Sequence, residues 1–305
     1  MGIGAYAVEI SNPDRIVFPD AGFSKADVVA YYERAAPLMM PHLMGRPLTL
    51  QRFPRGIGAK GFMQKNAAKH FPSFIERVPV VHQERETIYP VVHDAMGLRY
   101  LANQGTVTFH IWTTRARALD RPDHIVFDLD PPRGDPAAAR TAARDVRTLL
   151  QELGLASAVC ATGSQGYHVL FPVRPELDLV AIGLFCRRVA ELLARRHPER
   201  LTTEFRKKNR RGRVFIDWLR NRHGQTVACP WSLRPRPGAP FVAPLTWDEL
   251  ATTPPDLHRL PDVEARLRRG DPYANLEPAD LTAARDHVAR ATAGFDLKPF
   301  DRFRS

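Results

Sequence analysis

The sequence predicts an α+β fold, and three observations lead to this prediction. Hydrophobic residues make up 44% of the 305 residues and charged residues 25%, a composition typical of globular proteins. Residues 124–219 alternate between short apolar runs and patterns of helical period in the order β-α-β-β-α-β. After Pro244 the pattern is helical and interrupted by prolines. We therefore expect a central sheet with helices, an N-terminal α/β part wrapped on it and a helical C-terminal tail.

The N-terminal part is expected to contain several short elements. Ser24 is a typical N-cap for the helix that follows it. The patterns predict, in chain order, two short strands within 7–18 joined by a turn at Asn12-Pro13, a helix over 23–43, a strand over 46–54, a glycine- and lysine-rich loop over 55–72, a helix over 95–105 and a strand over 106–114.

The middle third has the most regular pattern. Pro136 suits the first turn of its first helix, and Gly154 follows the end of that helix. The predicted elements are a strand at 124–130, a helix over 135–154, strands at 157–163 and 167–173, a helix over 178–198 and a strand at 212–219. This order is that of a ferredoxin-like or RRM-like sheet with helices on one face.

The domain organisation follows from these patterns. Residues 1–245 are expected to form one unit, with an N-terminal part at 1–120 and a core at 121–245. Residues 246–305 are expected to form a helical extension packed on that core.

Two carboxylates interrupt an otherwise apolar run. The stretch HIVFDLDPP begins at His124 and carries Asp128 and Asp130. Residues i and i+2 of a strand point to the same face, so these two side chains share a face. Like charges that close repel each other unless a cation lies between them. The pair therefore suggests a metal site, although D-x-D also occurs in solvated turns and in metal-dependent glycosyltransferases.

A third carboxylate strengthens the metal hypothesis. Asp217, in VFIDWLRN, lies on the last strand of the same β-α-β-β-α-β unit, whose first and last strands can be neighbours. Three carboxylates on adjacent strands could hold two divalent cations about 3.5–4 Å apart. Oxygen ligands suit Mg²⁺ or Mn²⁺ rather than zinc.

Two further stretches have features of a phosphate site. In ATGSQGYHV, a turn with two glycines can aim backbone N–H groups at phosphate, with Thr162 and Ser164 adding hydroxyl donors and His168 beginning the next strand. A plain hairpin with a structural histidine is the alternative. Eight Lys or Arg residues lie between Arg206 and Arg222, against one acid, and Arg234 extends this basic stretch.

Overall charge and cysteine usage narrow the classes of partner. The formal net charge of +11 favours a polyanion, nucleic acid first, although arginine-rich genomes also produce such charges. No apolar run approaches the ~20 residues of a membrane span, so no membrane partner is expected. Three widely spaced cysteines without a CxxC pair favour a reducing cytoplasm and argue against a zinc site.

These stretches, taken together, resemble a known family. FDLDPP, TGSQGYHV and VFIDWLRN are similar, in this order and spacing, to the three motifs of the archaeo-eukaryotic primase superfamily, and in particular to the polymerase domain of bacterial ligase D. The likeness extends to NPDRIVFPDAGFSKADVVAYY, RPLTLQRFP, FMQKNAAKHFP, LANQGTVTFHIW and LTTEFRKKNRRGR, and it covers nearly all of residues 8–250. It implies a primase-type catalytic sheet in which residues 1–245 form the catalytic domain and 121–245 the metal-binding core.

The resemblance also implies roles for individual residues. It makes Asp128, Asp130 and Asp217 the catalytic, metal-binding carboxylates. The expected nucleotide-binding residues are Arg52, His110, Thr162, Ser164, Gln165, His168, Arg220 and Arg234. The expected DNA-binding residues are Arg15 and Lys25, for a 5′-phosphate, Phe62, for the template, and Lys65.

Three positions depart from the family pattern. Gln165 stands where many relatives have Lys or Arg, which puts one triphosphate contact in question. Gln51 stands where relatives often have a second base beside Arg52. Met63 replaces the second of two aromatic residues, so stacking on the template is expected to differ.

The leading functional hypothesis is a metal-dependent nucleotidyltransferase that adds a few nucleotides, often ribonucleotides, at short DNA gaps or broken ends. The resemblance implies two divalent cations, with Mn²⁺ favoured over Mg²⁺, nucleoside triphosphates as substrates, and a DNA ligase and an end-binding protein as partners. It implies a monomer in the bacterial cytoplasm, associated with the nucleoid. Since no K-x-D-G adenylation motif occurs, a stand-alone enzyme is expected. The alternatives are a non-catalytic DNA-end or gap-binding module, a primase that makes primers de novo, and a transferase acting on nucleotide-sugars.

Overall fold

The computed structural model describes residues 9–82 and 85–297, and it confirms the predicted α+β class. Its helices are α1 (Lys25–Leu43), α2 (Ala95–Asn103), α3 (Pro136–Glu152), α4 (Leu179–Arg196), α5 (Val263–Leu267) and α6 (Thr282–Ala291). Its strands are β1 (Ile16–Phe18), β2 (Phe23–Ser24), β3 (Leu48–Arg52), β4 (Phe62–Gln64), β5 (Glu76–His82), β6 (Arg85–Val91), β7 (Thr106–Ile111), β8 (Thr114–Arg115), β9 (Ala118–Pro122), β10 (His124–Asp130), β11 (Ala158–Ala161), β12 (Tyr167–Pro172), β13 (Leu201–Thr202), β14 (Val214–Asp217), β15 (Val227–Ala228) and β16 (Ala243–Leu245).

The main sheet has six strands in the order β13-β14-β10-β12-β11-β16. Its four central strands are those predicted from the middle third of the sequence, and each pairs antiparallel with its neighbour. The first and last strands of the β-α-β-β-α-β unit, β10 and β14, are adjacent, as the sequence predicted. This adjacency brings the two carboxylate motifs together.

The two faces of β10 have different environments. Phe127 and Leu129 are fully buried in the hydrophobic core beneath α3 and α4, whereas Asp128 and Asp130 are partly exposed. The apolar face of α3, which includes Val146 and Leu150, is fully buried and fills this side of the sheet. The opposite face of the sheet carries the polar side chains of Asp128 and Asp130.

A second sheet, in the order β15-β7-β3-β4, provides the other wall of a cleft. The chain reaches it from β14 through a 3₁₀ turn at Trp218–Asn221, which is followed closely by β15. Helix α1 supports this sheet, since the Tyr32 hydroxyl donates to the Val107 carbonyl of β7 at 2.5 Å. The sequence-predicted Ser24 cap of α1 is present, with the Ser24 hydroxyl accepting from the Asp27 N–H.

Several N-terminal elements differ from the prediction. Of the two strands expected within 7–18, the structure contains β1, which pairs with β2, and residues 7 and 8 lie outside the described residues. The loop expected over 55–72 contains β4, which adds an edge to the second sheet. The β5–β6 hairpin was not predicted, because its alternation is broken by Pro79 and Pro90.

The C-terminal part is less helical than predicted. Residues 243–245 form β16 at the edge of the main sheet, and residues 246–281 consist mainly of turns and irregular backbone, with three short 3₁₀ turns and the five-residue α5. Prolines interrupt the helical pattern there, because a proline inside a helix removes a hydrogen bond. The predicted final helix is present as α6, with Ala284 and Val288 buried and packed toward α4. The division of the chain at residue 245 stays a prediction.

Candidate active site between the two sheets

The centre of the site is a pair of carboxylates on neighbouring strands. Asp128 of β10 is the register partner of Asp217 of β14 on one side and of His168 of β12 on the other. The His168 Nε2 lies 3.6 Å from Asp128 Oδ1. Three residues from three separate sequence motifs therefore form one row across the sheet.

Arg220 is the positive charge that this carboxylate pair contacts. Its Nε atom lies 3.1 Å from Asp128 Oδ2 and 3.0 Å from Asp217 Oδ2. The 3₁₀ turn that follows β14 places it there, and the turn is capped by Asp217, whose Oδ1 accepts from the Leu219 N–H at 3.0 Å. The 3₁₀ turn thus directs the Arg220 side chain back toward Asp217 at the end of β14.

The third predicted ligand, Asp130, stands apart from the pair. Its side chain is 47% exposed, and its Oδ2 lies 3.7 Å from Arg210 Nη1. Within residues 9–82 and 85–297 no three His, Cys, Asp or Glu side chains form a compact metal-binding group. The predicted convergence is therefore present for Asp128 and Asp217, while Asp130 shares their face of the sheet without joining them.

The electrostatics of the carboxylates favour a bound cation. Burial, followed by the charges of Asp128 and Asp130, raises the pKa of Asp217 to about 6 despite the opposing effect of Arg220. Burial and Asp128 likewise raise the pKa of Asp130. Burial also opposes ionisation of Asp128, but neighbouring positive charges lower its pKa overall. Because carboxylate oxygens suit hard divalent cations, the donor set fits Mg²⁺ or Mn²⁺.

A cavity of about 280 Å³, here called the site cavity, lies over this row. It is bounded by residues of both sheets and of the glycine turn. Its lining includes most of the residues predicted for catalysis and nucleotide binding: His110, Asp128, Asp130, Thr162, Ser164, Gln165, His168, Arg220 and Arg234. The structure therefore collects in one place residues that lie more than a hundred positions apart in the sequence.

Two polar atoms in the site cavity are buried and have no protein partner. They are His110 Nε2 and Arg234 Nε. Burial and then the charges of Arg234 and Arg220 lower the pKa of His110 to about 3, so its imidazole is neutral at pH 7. Burial similarly lowers the pKa of His168 to about 4. Since buried polar atoms normally have hydrogen-bond partners, the two orphaned nitrogens indicate a polar ligand.

The glycine turn between β11 and β12 has a tightly constrained shape. The Thr162 hydroxyl donates to the Gly166 carbonyl at 2.9 Å, so this side chain closes the turn. A Cβ atom on Gly166 would lie 2.0 Å from the Leu129 carbonyl oxygen. Gly163 has a φ of +64°, a region that disfavours other residues. The turn leaves Ser164 half-buried and Gln165 exposed at the cavity.

Arg52, which was predicted to bind the nucleotide, is not among the residues that line the site cavity, and its role stays a prediction. Its guanidinium donates to the Gln104 carbonyl and to Gln64 Oε1, the latter at 2.6 Å. It also lies over the Phe62 ring, 5.5 Å from the ring centre. The structure thus groups Arg52 with the residues predicted to contact DNA.

The predicted template-contacting residues lie on an exposed edge. Phe62 and Met63 of β4 are 48% and 49% exposed, and Lys65 follows them at the surface. Gln51 is the register partner of Met63 on β3. An exposed aromatic ring beside arginine and lysine is the usual combination for stacking on single-stranded nucleic acid.

Arg15 and Lys25 lie close together, as predicted for a phosphate pocket. The Lys25 backbone N–H donates to the Arg15 carbonyl at 2.8 Å, and burial followed by the charge of Arg15 lowers the pKa of Lys25. The Lys25 ammonium donates to the carbonyl and hydroxyl of Ser11, at 2.5 and 2.8 Å. Lys25 is therefore a buried, structurally bonded cation, whereas Arg15 is exposed.

One supporting argument for that pocket is wrong. The start of α1 was expected to offer free backbone N–H groups to an anion. The N–H groups of Lys25, Ala26 and Asp27 instead donate to Arg15, Pro13 and the Ser24 hydroxyl. The two side chains alone remain as the basis for a phosphate contact.

Sequence reasoning missed Thr226, Val227, Ala228 and Arg236 among the residues that line the site cavity, and two of these, Thr226 and Arg236, are polar. Arg236 is exposed and lies two positions beyond Arg234, and the Thr226 carbonyl is 3.4 Å from Arg220 Nη1. The arginine-rich SLRPRP stretch was the only available signal for Arg236. Arg236 supplies a further cation to the cavity that the neutral Gln165 also lines.

Comparison with known proteins identifies the family. The sequence of residues 24–273 matches the protein-family model of the LigD primase-polymerase domain. The chain belongs to the LigD primase-polymerase domain family. The predicted resemblance is therefore confirmed. None of the helices in the described part of this family member is both long and apolar enough to cross a membrane.

Individual relatives cover most of the chain. The multifunctional non-homologous end joining protein LigD of Mycolicibacterium smegmatis is 35% identical over 280 residues, covering 90% of this chain and 36% of its own length. The bifunctional non-homologous end joining protein LigD of Bacillus subtilis is 30% identical over 286 residues, covering 90% of this chain and 46% of its own length. The chain thus spans between about a third and a half of these relatives. The solved polymerase domain of Mycobacterium tuberculosis ligase D, in complex with DNA, matches with a TM-score of 0.82 and 31% identity over 88% of this chain and 99% of that chain.

Proposed function

We propose that this protein is a template-dependent nucleotidyltransferase that adds a few nucleotides to DNA at short gaps or broken ends during DNA repair. The observation that carries the proposal is the cross-strand pair of Asp128 and Asp217, of which Asp128 lines a cavity that also has unpartnered buried nitrogens of His110 and Arg234. The names of its relatives, which are non-homologous end joining proteins, support a role in repair of broken DNA.

The site cavity is proposed to hold the triphosphate. Arg234 and Arg236 supply positive charge on one wall, and neutral His110 and Ser164 supply hydrogen-bond donors. Preorganised donors of this kind stabilise charge that develops during the reaction. The turn that carries Ser164 and Gln165 is constrained at Gly163 and Gly166, which limits the conformations that its backbone can adopt.

Asp128, Asp130 and Asp217 would hold the divalent cations, two in number, with Mn²⁺ favoured over Mg²⁺ by the family resemblance. Such cations, when bound, neutralise triphosphate charge and favour ionisation of the attacking hydroxyl. In the transfer, the primer 3′-oxygen forms a bond to the α-phosphorus and loses its proton to solvent. The bond from the α-phosphorus to the bridging oxygen breaks, and pyrophosphate leaves with that electron pair.

Arg220 is proposed to move between two partners. In the structure its guanidinium neutralises Asp128 and Asp217 from within the site cavity. A cation bound by those carboxylates would compete for the same oxygens. Arg220 would then be available to the triphosphate, since it lines the same cavity.

The exposed surface beside β4 is proposed to hold the DNA. Phe62 would stack on a template base, with Arg52 behind its ring and Lys65 next to the backbone. Arg15 and Lys25 would contact a 5′-phosphate beyond the gap, whose charge of about −1.5 to −2 exceeds that of a diester. A DNA ligase and an end-binding protein are the proposed protein partners.

Primer extension tests this proposal directly. Gapped and open primer-templates are incubated with ribo- or deoxyribonucleoside triphosphates and with Mn²⁺ or Mg²⁺. We expect template-matched addition of a few nucleotides, with ribonucleotides preferred and chelator abolishing addition. Tight DNA binding without addition under any of these conditions would instead favour a non-catalytic end-binding module. Products that form on a template without any primer would favour de novo priming.

A further inference from the structure

A second cavity lies in the same cleft as the site cavity. It has a volume of about 1060 Å³ and is here called the rear cavity. His168, Val227 and Ala228 line both cavities, so the two adjoin at this boundary. The proposed triphosphate site therefore has a large neighbouring space on the side of His168.

The rear cavity lies away from the proposed DNA contacts. Lys25 begins α1, and Arg46, which follows the end of the same helix, lines the rear cavity. A helix of 19 residues is about 28 Å long, so the two positions are far apart. Along β10, His124 and Val126 line the rear cavity, whereas Asp128 lines the site cavity. DNA bound at Phe62 and Arg15 would leave the rear cavity open.

The charged groups of the rear cavity are mainly basic. Arg46, Arg115, Arg117 and Arg174 line it, against Asp123 and Glu277. Arg46 and Arg115 both bind Asp123, at 2.6 and 2.7 Å, so its negative charge is more than compensated. Arg117 and Arg174 are exposed at the solvent side, and Arg174 Nη1 lies 3.4 Å from Asp280 Oδ2. An anion moving outward from His168 would therefore meet an excess of positive charge.

We propose that the rear cavity is the route by which pyrophosphate leaves after nucleotide transfer. This inference rests on the proposed function, because pyrophosphate is produced only if transfer occurs. The extended primer and template would occupy the side of the cleft at Phe62. The arginines of this cavity lie among apolar residues, and Arg46 and Arg115 are already paired with Asp123. Such an arrangement suits transit, because a tight anion site would retain the product. The alternative exit is past exposed Arg236, directly from the site cavity.

A bulky, removable label attached to a cysteine in the rear cavity tests the route, because it would obstruct (plug) the cavity. Met44 lines the cavity and is 42% exposed, so Met44→Cys is accessible to a bulky thiol reagent. Cys160, Cys186 and Cys229 are buried, which leaves the introduced thiol as the reactive one. Val180→Cys, at a residue 75% exposed on α4, is the matched control. Both proteins are labelled with a bulky methanethiosulfonate, and reductant then removes the label.

Two rates are measured on the same labelled proteins. Addition of the first nucleotide is followed by rapid quench, and pyrophosphate release by a pyrophosphatase-coupled phosphate sensor. We expect labelled Met44→Cys to add the first nucleotide within about twofold of the unlabelled rate but to release pyrophosphate about tenfold or more slowly. The reverse reaction, in which added inorganic pyrophosphate must enter the site, should be slowed by a similar factor in labelled Met44→Cys. Reductant should restore both, and the control should show neither effect.

A charge variant provides an independent measurement. Arg117→Glu combined with Arg174→Glu should slow pyrophosphate release in a manner that is reduced by salt, since both side chains are exposed. Release at the wild-type rate in both the plugged and the charge-reversed protein would overturn the proposal. So would a loss of first-nucleotide addition that equals the loss of release. Failure of the proposed function has a different signature, namely no nucleotide addition by the wild-type protein.

Discussion

Asp128 and Asp217 lie directly opposite each other on adjacent antiparallel strands, and one Arg220 nitrogen contacts both of them. The pair belongs to two motifs that are separated by 89 positions, with α3, β11, β12, α4 and β13 between them. Nothing in the hydrophobic core requires two carboxylates here, because the buried faces of both strands are apolar. A role of the two carboxylates in the reaction best explains the pair, and replacing either aspartate is the most direct test of that role.

Replacing Asp128 or Asp217 with Asn should abolish nucleotide addition, by about 10³-fold or more, because either change removes charge that binds the cations. DNA binding should stay within about twofold, since basic residues supply most phosphate affinity. Extension and binding are measured on one preparation. Asp120→Asn, at an exposed position of β9, is the control. Extension near the wild-type level in either variant would contradict the assignment of metal-binding residues.

Arg236→Ala should raise the KM for the nucleoside triphosphate by about three- to tenfold, with a smaller effect on kcat, because the side chain lines the proposed triphosphate site but is not one of the proposed metal-binding residues. Steady-state extension with varied nucleotide concentration measures both constants. Arg268→Ala removes an equally exposed arginine outside the cavity and should change neither. An unchanged KM in Arg236→Ala would mean that this residue does not compensate for the neutral Gln165.

A 5′-phosphate downstream of a gap should improve binding and extension. Arg15→Ala should reduce that preference with only a small loss of stability, because Arg15 is exposed and loses one hydrogen bond, to the Pro54 carbonyl. Lys25→Ala should reduce both the preference for the 5′-phosphate and the stability of the protein, since the buried Lys25 ammonium also donates hydrogen bonds to Ser11. The double variant should treat phosphorylated and hydroxyl gaps alike while still extending an open primer-template. Equal wild-type activity on both gaps would remove the case for a gap-directed enzyme.

Gly166→Ala should destabilise the protein by about 2–4 kcal/mol or more and abolish addition, because the new Cβ would lie 2.0 Å from the Leu129 carbonyl oxygen. Thermal unfolding measures the loss of stability. Gly294→Ala is the matched control, since no atom lies within 4 Å of its added Cβ and its φ is not positive. A stable Gly166→Ala protein with wild-type activity would show that the strands can separate at this point.

Glu249→Gln should lower the free energy of unfolding at neutral pH by about 1–2 kcal/mol, because Glu249 accepts hydrogen bonds from Arg266 and Arg269 at 2.6 Å. Although burial opposes ionisation, these bonds lower the pKa of Glu249 to about 2. A lowered carboxylate pKa contributes stability above its usual value of 4.5, and that contribution is lost as the pH falls toward 2. Denaturant unfolding of wild type and variant should therefore converge on acidification. A difference that is independent of pH would contradict this origin.

The central part of the fold was predictable because its signals are local. The strand at His124–Asp130 and the helix at Pro136–Glu152 combine clear periodicity with proline and glycine boundaries. The β5–β6 hairpin and β16 lacked such signals, since prolines within or beside them suggested loops. Short edge strands depend on a neighbouring strand that the local sequence does not specify.

The sequence by itself determined the chemistry of the site: which carboxylates, hydroxyls, histidines and arginines were available, and that Asp128 and Asp130 share a face. The tertiary structure alone decided the neighbours. It placed Asp217 opposite Asp128 but left Asp130 apart, placed Arg52 over the Phe62 ring, and brought Arg236 to the site cavity. The physical reason is that side-chain direction along a strand follows a local period of two, whereas contact between distant segments depends on sheet register and loop path.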